Sequence, residues 1–105
     1  MKSKRTKATE IPMEVKDRVF ERDGGRCIIC NRAGMPNAHY IRRSQGGLGI
    51  EQNVVTLCLV CHHSYDNGYG RESIGKKIHD YLEYKYYPNW NEEDLIYNKW
   101  KDKRI

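Results

Sequence analysis

Long apolar runs are missing from this chain of 105 residues: no stretch approaches eighteen consecutive apolar residues, the length below which a membrane-spanning helix is not expected. A charged-then-apolar leader is also missing, so no signal peptide is expected and the chain reads as cytoplasmic, with no membrane partner. Aliphatic residues are sparse, with hydrophobic content at 38% against 31% charged. A single domain of this size buries only part of its surface and stays marginal unless something staples it. Eight Tyr and two Trp, against one Phe, must supply much of the packing, and each brings a polar group that needs a partner. Acid is in deficit: 19 Lys and Arg face 14 Asp and Glu, giving a net charge of +5 and a pI near 9.1. That balance favours an anionic partner, nucleic acid above all. There is no low-complexity tract and no repeat beyond paired cysteines.

The chain divides into three parts. Residues 1–10 carry four basic side chains and little that is apolar, which predicts a flexible basic arm. Residues 11–70 hold the motifs. A helix is expected from Pro12, with Val15, Val19 and Phe20 on one face, until Asp23-Gly24-Gly25 breaks it. Asn37 to Arg43 reads as a strand, the Gly-rich segment from Gln45 to Gly49 as a loop, and the β-branched run Val54 to Leu57 as a second strand paired with the first. His62 to Asn67 reads as a short helix closed by Gly68. Residues 71–105 form a helical extension: Ile74, Ile78, Tyr81 and Leu82 keep a helical rhythm until Pro88. A last helix is expected from Asn91, with Glu92, Glu93 and Asp94 at its positive end and Lys99, Lys101 and Lys103 at its negative end. Tyr81, Tyr84, Tyr86, Tyr87, Trp90 and Trp100 are placed to pack back on the domain, stack on bases or form a dimer face.

The cysteines carry the strongest pattern. Cys27/Cys30 and Cys58/Cys61 are two Cys-x-x-Cys turns, and two such turns close a tetrahedral thiolate shell around structural zinc with no position left open. In a reducing compartment this outweighs a redox pair or buried free thiols. Twenty-seven residues (31–57) separate the pairs, more than a simple zinc ribbon needs, so the intervening segment must hold structure of its own. A closed shell contributes folding energy and cannot activate water.

Directly after the second pair, His62 and Asp66 are spaced i, i+4, so on a helix they can hold one divalent cation together; a solvated surface pair is the plainer alternative. His39 stands on the first strand and can act as a general base if a second hydrogen bond fixes its tautomer, a restraint that Asn53 could supply.

Cys27-Ile-Ile-Cys30, Ala38-His39-Tyr40-Ile41-Arg42-Arg43-Ser44-Gln45-Gly46-Gly47, Asn53-Val-Val-Thr-Leu57-Cys58 and Cys61-His62 together resemble the HNH endonuclease family, over about residues 15–68. The His, Asn and His of the name are met by His39, Asn53 and His62. The resemblance implies an α+β fold: a small ββα-metal (His-Me finger) domain stapled by a four-cysteine zinc site, with an N-terminal helix and added C-terminal helices. It also implies a metal-dependent endonuclease acting on DNA, double-stranded, of a kind common in phages and mobile elements. His39 would deprotonate the attacking water, and Asn53 would hold the loop and the His39 imidazole. His62 and Asp66 would bind one catalytic cation (Mg2+, Mn2+, Ni2+ or Zn2+), leaving 5′-phosphate and 3′-hydroxyl ends. Arg42 and Arg43 would clamp flanking phosphates. Sequence preference should be weak, and the resemblance leaves room for a homodimer or a phage or host protein partner.

One position departs from the family. Members usually carry Asp, Glu or His as a metal ligand immediately before the general base, and here Ala38 stands there. Strand alternation sends Asn37 to the same face as His39, so it is no straightforward substitute. Extra waters could complete the cation shell, another residue or subunit could do so, or the site is degenerate. The last case gives the alternative function, a non-catalytic zinc module that binds nucleic acid.

Overall fold

A computed structural model describes residues 2–102, with side chains described as far as residue 100. Helices α1 (Lys4–Thr9) and α2 (Met13–Arg22) precede strand β1 (Met35–His39). Strand β2 (Val54–Leu57) leads at once into α3 (Leu59–Asn67) and then α4 (Arg71–Tyr86), and α5 (Lys99–Asp102) comes last. Short 3-10 turns lie at Arg43–Gln45, Glu51–Asn53 and Glu92–Leu95. The described residues therefore form an α+β fold with a two-stranded antiparallel sheet. A bare strand pair is marginal in water, and here α2, α3 and α4 pack around it.

Each element follows from its side chains. Val15 and Val19 of α2 are buried against Val54, while Phe20, expected on the same face, is 47% exposed because the helix turns it onto Gly25, where an added Cβ would lie 2.7 Å from the ring. Gly24 and Gly25 then take positive φ of 67° and 69°, which ends the helix at a cost other residues would resist. Ile74, Ile78 and Leu82 recur every four residues along α4 and are buried with Leu57, Tyr65 and Ala38 in the main core. Fully burying side chains such as Ile78 and Leu82 contributes about 1.5–3 kcal/mol each.

The β1–β2 register pairs Met35 with Leu57 but Ala38 with Val55 and His39 with Val54, so β1 carries one extra residue between Met35 and Ala38. Such a bulge bends a strand and re-aims its side chains. Pro36 sits in it, where a missing amide proton costs nothing in the ladder.

Between these elements lies a buried charge pair. Asp23, fully buried at its side chain, accepts from Arg22 Nε at 2.7 Å and Nη2 at 3.0 Å, from the Thr56 amide at 2.8 Å and from the Tyr81 hydroxyl. Arg22 continues to the carbonyls of Glu51 and Val54, both at 2.8 Å, and to the Tyr86 hydroxyl at 3.0 Å. Burial opposes the guanidinium charge, but Asp23 and Tyr86 more than offset it and hold the Arg22 pKa above its ordinary value. Burial and Asp23 push the Tyr81 hydroxyl up to about 12, so it stays a donor.

Three expectations need correction. Residues 4–9 of the expected flexible arm form α1, capped by the Ser3 hydroxyl. Thr9 at its end is buried, so tertiary contacts hold a segment whose composition alone would leave it loose. The first strand begins two residues earlier and stops at His39, and Arg43 enters a 3-10 turn because Asn53 folds the following backbone inward. The last helix is broken in two. Asn91 does cap Glu92–Leu95, but Ile96 is extended and bridges to Gly47, with Leu48 N donating to Leu95 O and Tyr97 N to Gly46 O. Lys103 of that expected helix lies outside the described residues.

Replacing Asp23 with Ala removes the acceptor and strands a buried guanidinium. The variant should lose about 3–5 kcal/mol, read as a fall in Tm of more than ten degrees at about 4–8 °C per kcal/mol, whereas Lys76→Ala, which breaks the exposed Lys76–Asp80 pair, should shift it by no more than a few degrees.

Candidate functional site

The first cysteine turn leaves α2 and is sewn to β2, with Ile28 N donating to Thr56 O at 3.1 Å and Cys27 N to Arg32 O at 2.7 Å. Asn31, at φ 67°, reverses the chain behind Cys30. The second turn is the start of α3: Cys58 is its N-cap, and its Sγ accepts from Cys61 N at 3.4 Å. The four sulfurs lie within 4.8 Å of one another. Cys30 and Cys58 are 3.5 Å apart at Sγ, too far for a disulfide and close to the roughly 3.8 Å edge of a tetrahedron with metal–sulfur bonds of about 2.3 Å. Burial, and then neighbouring sulfurs, push the Cys61 thiol up. Burial also opposes the Cys27 thiolate, but backbone donors at Cys58, Cys30 and Ile29 bring it down to about 7. Four thiols in this arrangement suit a metal ion, which would supply the positive charge that lets all of them ionise together.

Beyond this cluster, a cleft of about 330 Å³ is lined by Asn37, His39, Arg42, Arg43, Ser44, His62 and Asp66. Both the His39 strand and the helix carrying His62 and Asp66 therefore reach one space. His62 Nε2 and Asp66 Oδ2 are 3.1 Å apart, near the ~3.0 Å that separates adjacent ligands in an octahedral shell with bonds of about 2.1 Å. His63 faces away and shares a separate depression with Leu59 and Val60. Arg42 is partly committed, its Nη2 donating to Asp66 O at 3.2 Å, while Arg43 borders both this cleft and an adjoining one lined by Glu10, Ile11, Lys16, Asn37 and His39.

Asn53 does half of what was expected. It is fully buried, and its amide accepts from Ile41 N at 2.8 Å and donates to Ile41 O at 3.1 Å and Leu48 O at 2.9 Å. It thus closes the loop that carries Arg42, Arg43 and Ser44. Gly47 lies so close inside this loop that a Cβ would fall 1.6 Å from Ile41 O. The His39 ring, however, is held by another group: Nε2 lies 2.8 Å from Thr9 O. A carbonyl only accepts, so Nε2 carries the proton and, in the neutral ring, Nδ1 keeps its lone pair. Burial pulls the His39 pKa below its ordinary value, partly countered by the Thr9 carbonyl, and Arg43 lowers it further.

Ala38 is fully buried in the main core, so position 38 offers the cleft nothing, and Asn37 borders it instead. Two supports carry no signature in the sequence: the Tyr65 hydroxyl donates to Tyr40 O at 2.6 Å, tying α3 to the end of β1, and the Thr9 carbonyl, in the basic N-terminal segment, meets the His39 ring. No protein-family model matches the chain, and comparison with curated proteins and with solved structures yields no match.

The His39 shift has a definite consequence. With its folded pKa below the unfolded value of about 6.5, the neutral ring is the form the fold favours. Its contribution to stability is complete above that value and is lost as pH falls through the folded pKa. Histidine NMR titration should place the His39 midpoint below 6.5 in the native protein, and a midpoint at or above that value contradicts the burial argument.

Proposed function

We propose that the protein is a metal-dependent DNA endonuclease of the HNH type, in which β1, β2 and α3 form the ββα-metal unit and the four cysteines hold structural zinc. The observation that carries this reading is the convergence of His39, its Nε2 already committed to a carbonyl, with the His62–Asp66 pair and two arginines in one cleft. A pure binding surface has no use for a neutral imidazole beside an imidazole–carboxylate pair. Zinc is the ion that four thiolates in a tetrahedral arrangement suit best, and the absence of an open position confines it to holding the knuckles together.

In this reading His39 Nδ1 takes a proton from water as the oxygen attacks phosphorus. The bond from phosphorus to the 3′ oxygen breaks, and a proton from solvent completes the 3′-hydroxyl, leaving a 5′-phosphate. Arg42 and Arg43 hold flanking phosphates. Asn53 keeps their loop in place. His62 and Asp66 would hold one divalent cation (Mg2+, Mn2+, Ni2+ or Zn2+), which when bound offsets charge on the phosphate and the departing oxygen. The buried Ala38 favours a second reading, a zinc module that binds nucleic acid without cutting it, since only two protein ligands then face the cation.

Purified protein should contain one zinc ion per chain. Cys27→Ser or Cys61→Ser should lower that content and abolish the cooperative thermal transition, because binding of structural zinc supplies folding free energy; full stability in metal-free protein would contradict this.

Incubated with supercoiled plasmid and Mg2+, Mn2+ or Ni2+, the protein should nick or linearise it. His39→Ala, with zinc retained, should slow cleavage by a factor on the order of 10²–10⁴, and DNA binding should weaken steeply with salt. Salt-sensitive binding with no metal-dependent cleavage above the His39→Ala background establishes the second reading instead.

A further inference from the structure

The N-terminal helix is tied to the cleft and to the loop beside it at three points. Thr9 O receives the His39 Nε2 proton at 2.8 Å. Ala8 O accepts from Gly49 N at 3.0 Å. Arg5 Nη2 donates to Ser44 O at 3.1 Å. Thr9 is only 3% exposed, and its hydroxyl turns back to Arg5 O and Thr6 O, leaving its carbonyl for the imidazole. The approach at Gly49 is close enough that a Cβ would fall 1.7 Å from Glu10 O. Only glycine lets this segment come so near.

We infer that α1 is a positioning element for His39: its docking on Gly49 delivers the Thr9 carbonyl that fixes the ring's orientation and keeps Nδ1 free as the base. The inference rests on the endonuclease reading for the role of that base, but not for the tautomer itself. A bare imidazole exchanges tautomers and rotates about its side-chain bonds, and an acceptor on one nitrogen removes both freedoms. Misplacement of a catalytic group by about 1 Å can cost on the order of a hundredfold in rate. Docking thus links the N-terminal segment to the chemistry through its backbone, while Lys4 and Lys7 on the same helix are exposed and free to attract phosphate.

Two full-length variants undo the docking from opposite sides. Gly49→Ala puts a methyl group where Glu10 O now lies, and Ala8→Pro breaks α1 itself. A third, Lys4→Ala with Lys7→Ala, removes charge and leaves the docking. Nitrogen-15 shifts of the histidine rings, assigned against His39→Ala, report the tautomer, and single-turnover cleavage at saturating DNA reports the rate. The native protein should show His39 protonated at Nε2. Either docking variant, if it keeps its zinc and a cooperative melt, should show exchanging tautomers and a rate lower by up to about a hundredfold. The double lysine variant should keep the native tautomer and lose affinity for DNA. The inference is overturned if a folded docking variant retains the native tautomer, or retains the native rate despite losing that tautomer. If the native protein cuts no DNA, the tautomer shifts alone decide whether α1 positions His39, and the endonuclease reading is what fails.

Discussion

The Asp23 carboxylate is the group around which the other elements are arranged. It is sealed from solvent at the end of α2 and accepts hydrogen bonds from Arg22, from the β2 backbone at Thr56 and from Tyr81 on α4. Arg22 answers with bonds to Glu51 O, Val54 O and Tyr86. A buried carboxylate or guanidinium left alone is costly, so the pair is tolerable only when every remaining lone pair and proton is used. That demand fixes the separations of α2, β2 and α4 more tightly than apolar contact would. Since β1 pairs only with β2 among the described residues, the placement of His39 is inherited from this network.

Much of this was legible in the sequence, and what was not has physical reasons. Three of the four residues from Val54 to Leu57 are β-branched and all four are buried, so the strand emerged with the right limits. Apolar residues every four positions marked α4, and the Cys-x-x-Cys spacing marked both knuckles. Asp23, by contrast, sits before two glycines and reads as a turn residue, and nothing nearby in sequence announces that Thr56 and Tyr81 will close on it. The same holds for α1. Its six residues are too few to be stable alone, and its helicity depends on Ser3, on the burial of Thr9 and on contacts with residues 44 and 49. The last helix failed because Ile96 finds a backbone partner at Gly47, which local periodicity does not reveal.

The candidate site shows the same division. His39, His62 and Asp66 stand out in the sequence because their side-chain chemistry is distinctive, and the cleft brings them together. Asn53 performs one of the two tasks expected of it: its amide is consumed by Ile41 and Leu48, and a main-chain carbonyl, that of Thr9, holds the ring. Any residue carries a carbonyl, so no sequence pattern identifies the one that will face an imidazole. The aromatic extension divides likewise. Trp90 is buried with its Nε1 donating to Gln52 O at 2.8 Å, and Tyr81 and Tyr86 serve the Arg22–Asp23 network, whereas Tyr84, Tyr87 and Trp100 remain exposed.

The burial of Ala38 bears on how the proposed cation site would behave. A carboxylate at position 38 would have to be desolvated among Val55, Leu57 and Tyr65, at a cost that the fold avoids by placing a methyl group there. Among the described residues Asp66 is then the one carboxylate that lines the cleft, beside two arginines. Under the endonuclease reading, this charge balance disfavours a free divalent cation and favours one accompanied by a phosphate, whose oxygens supply both ligands and negative charge. Linkage makes that preference mutual: whatever DNA adds to cation affinity, the cation adds to DNA affinity. On that reading, the methyl group at position 38 would not merely weaken the site but would transfer part of the cation's coordination from the protein to the substrate.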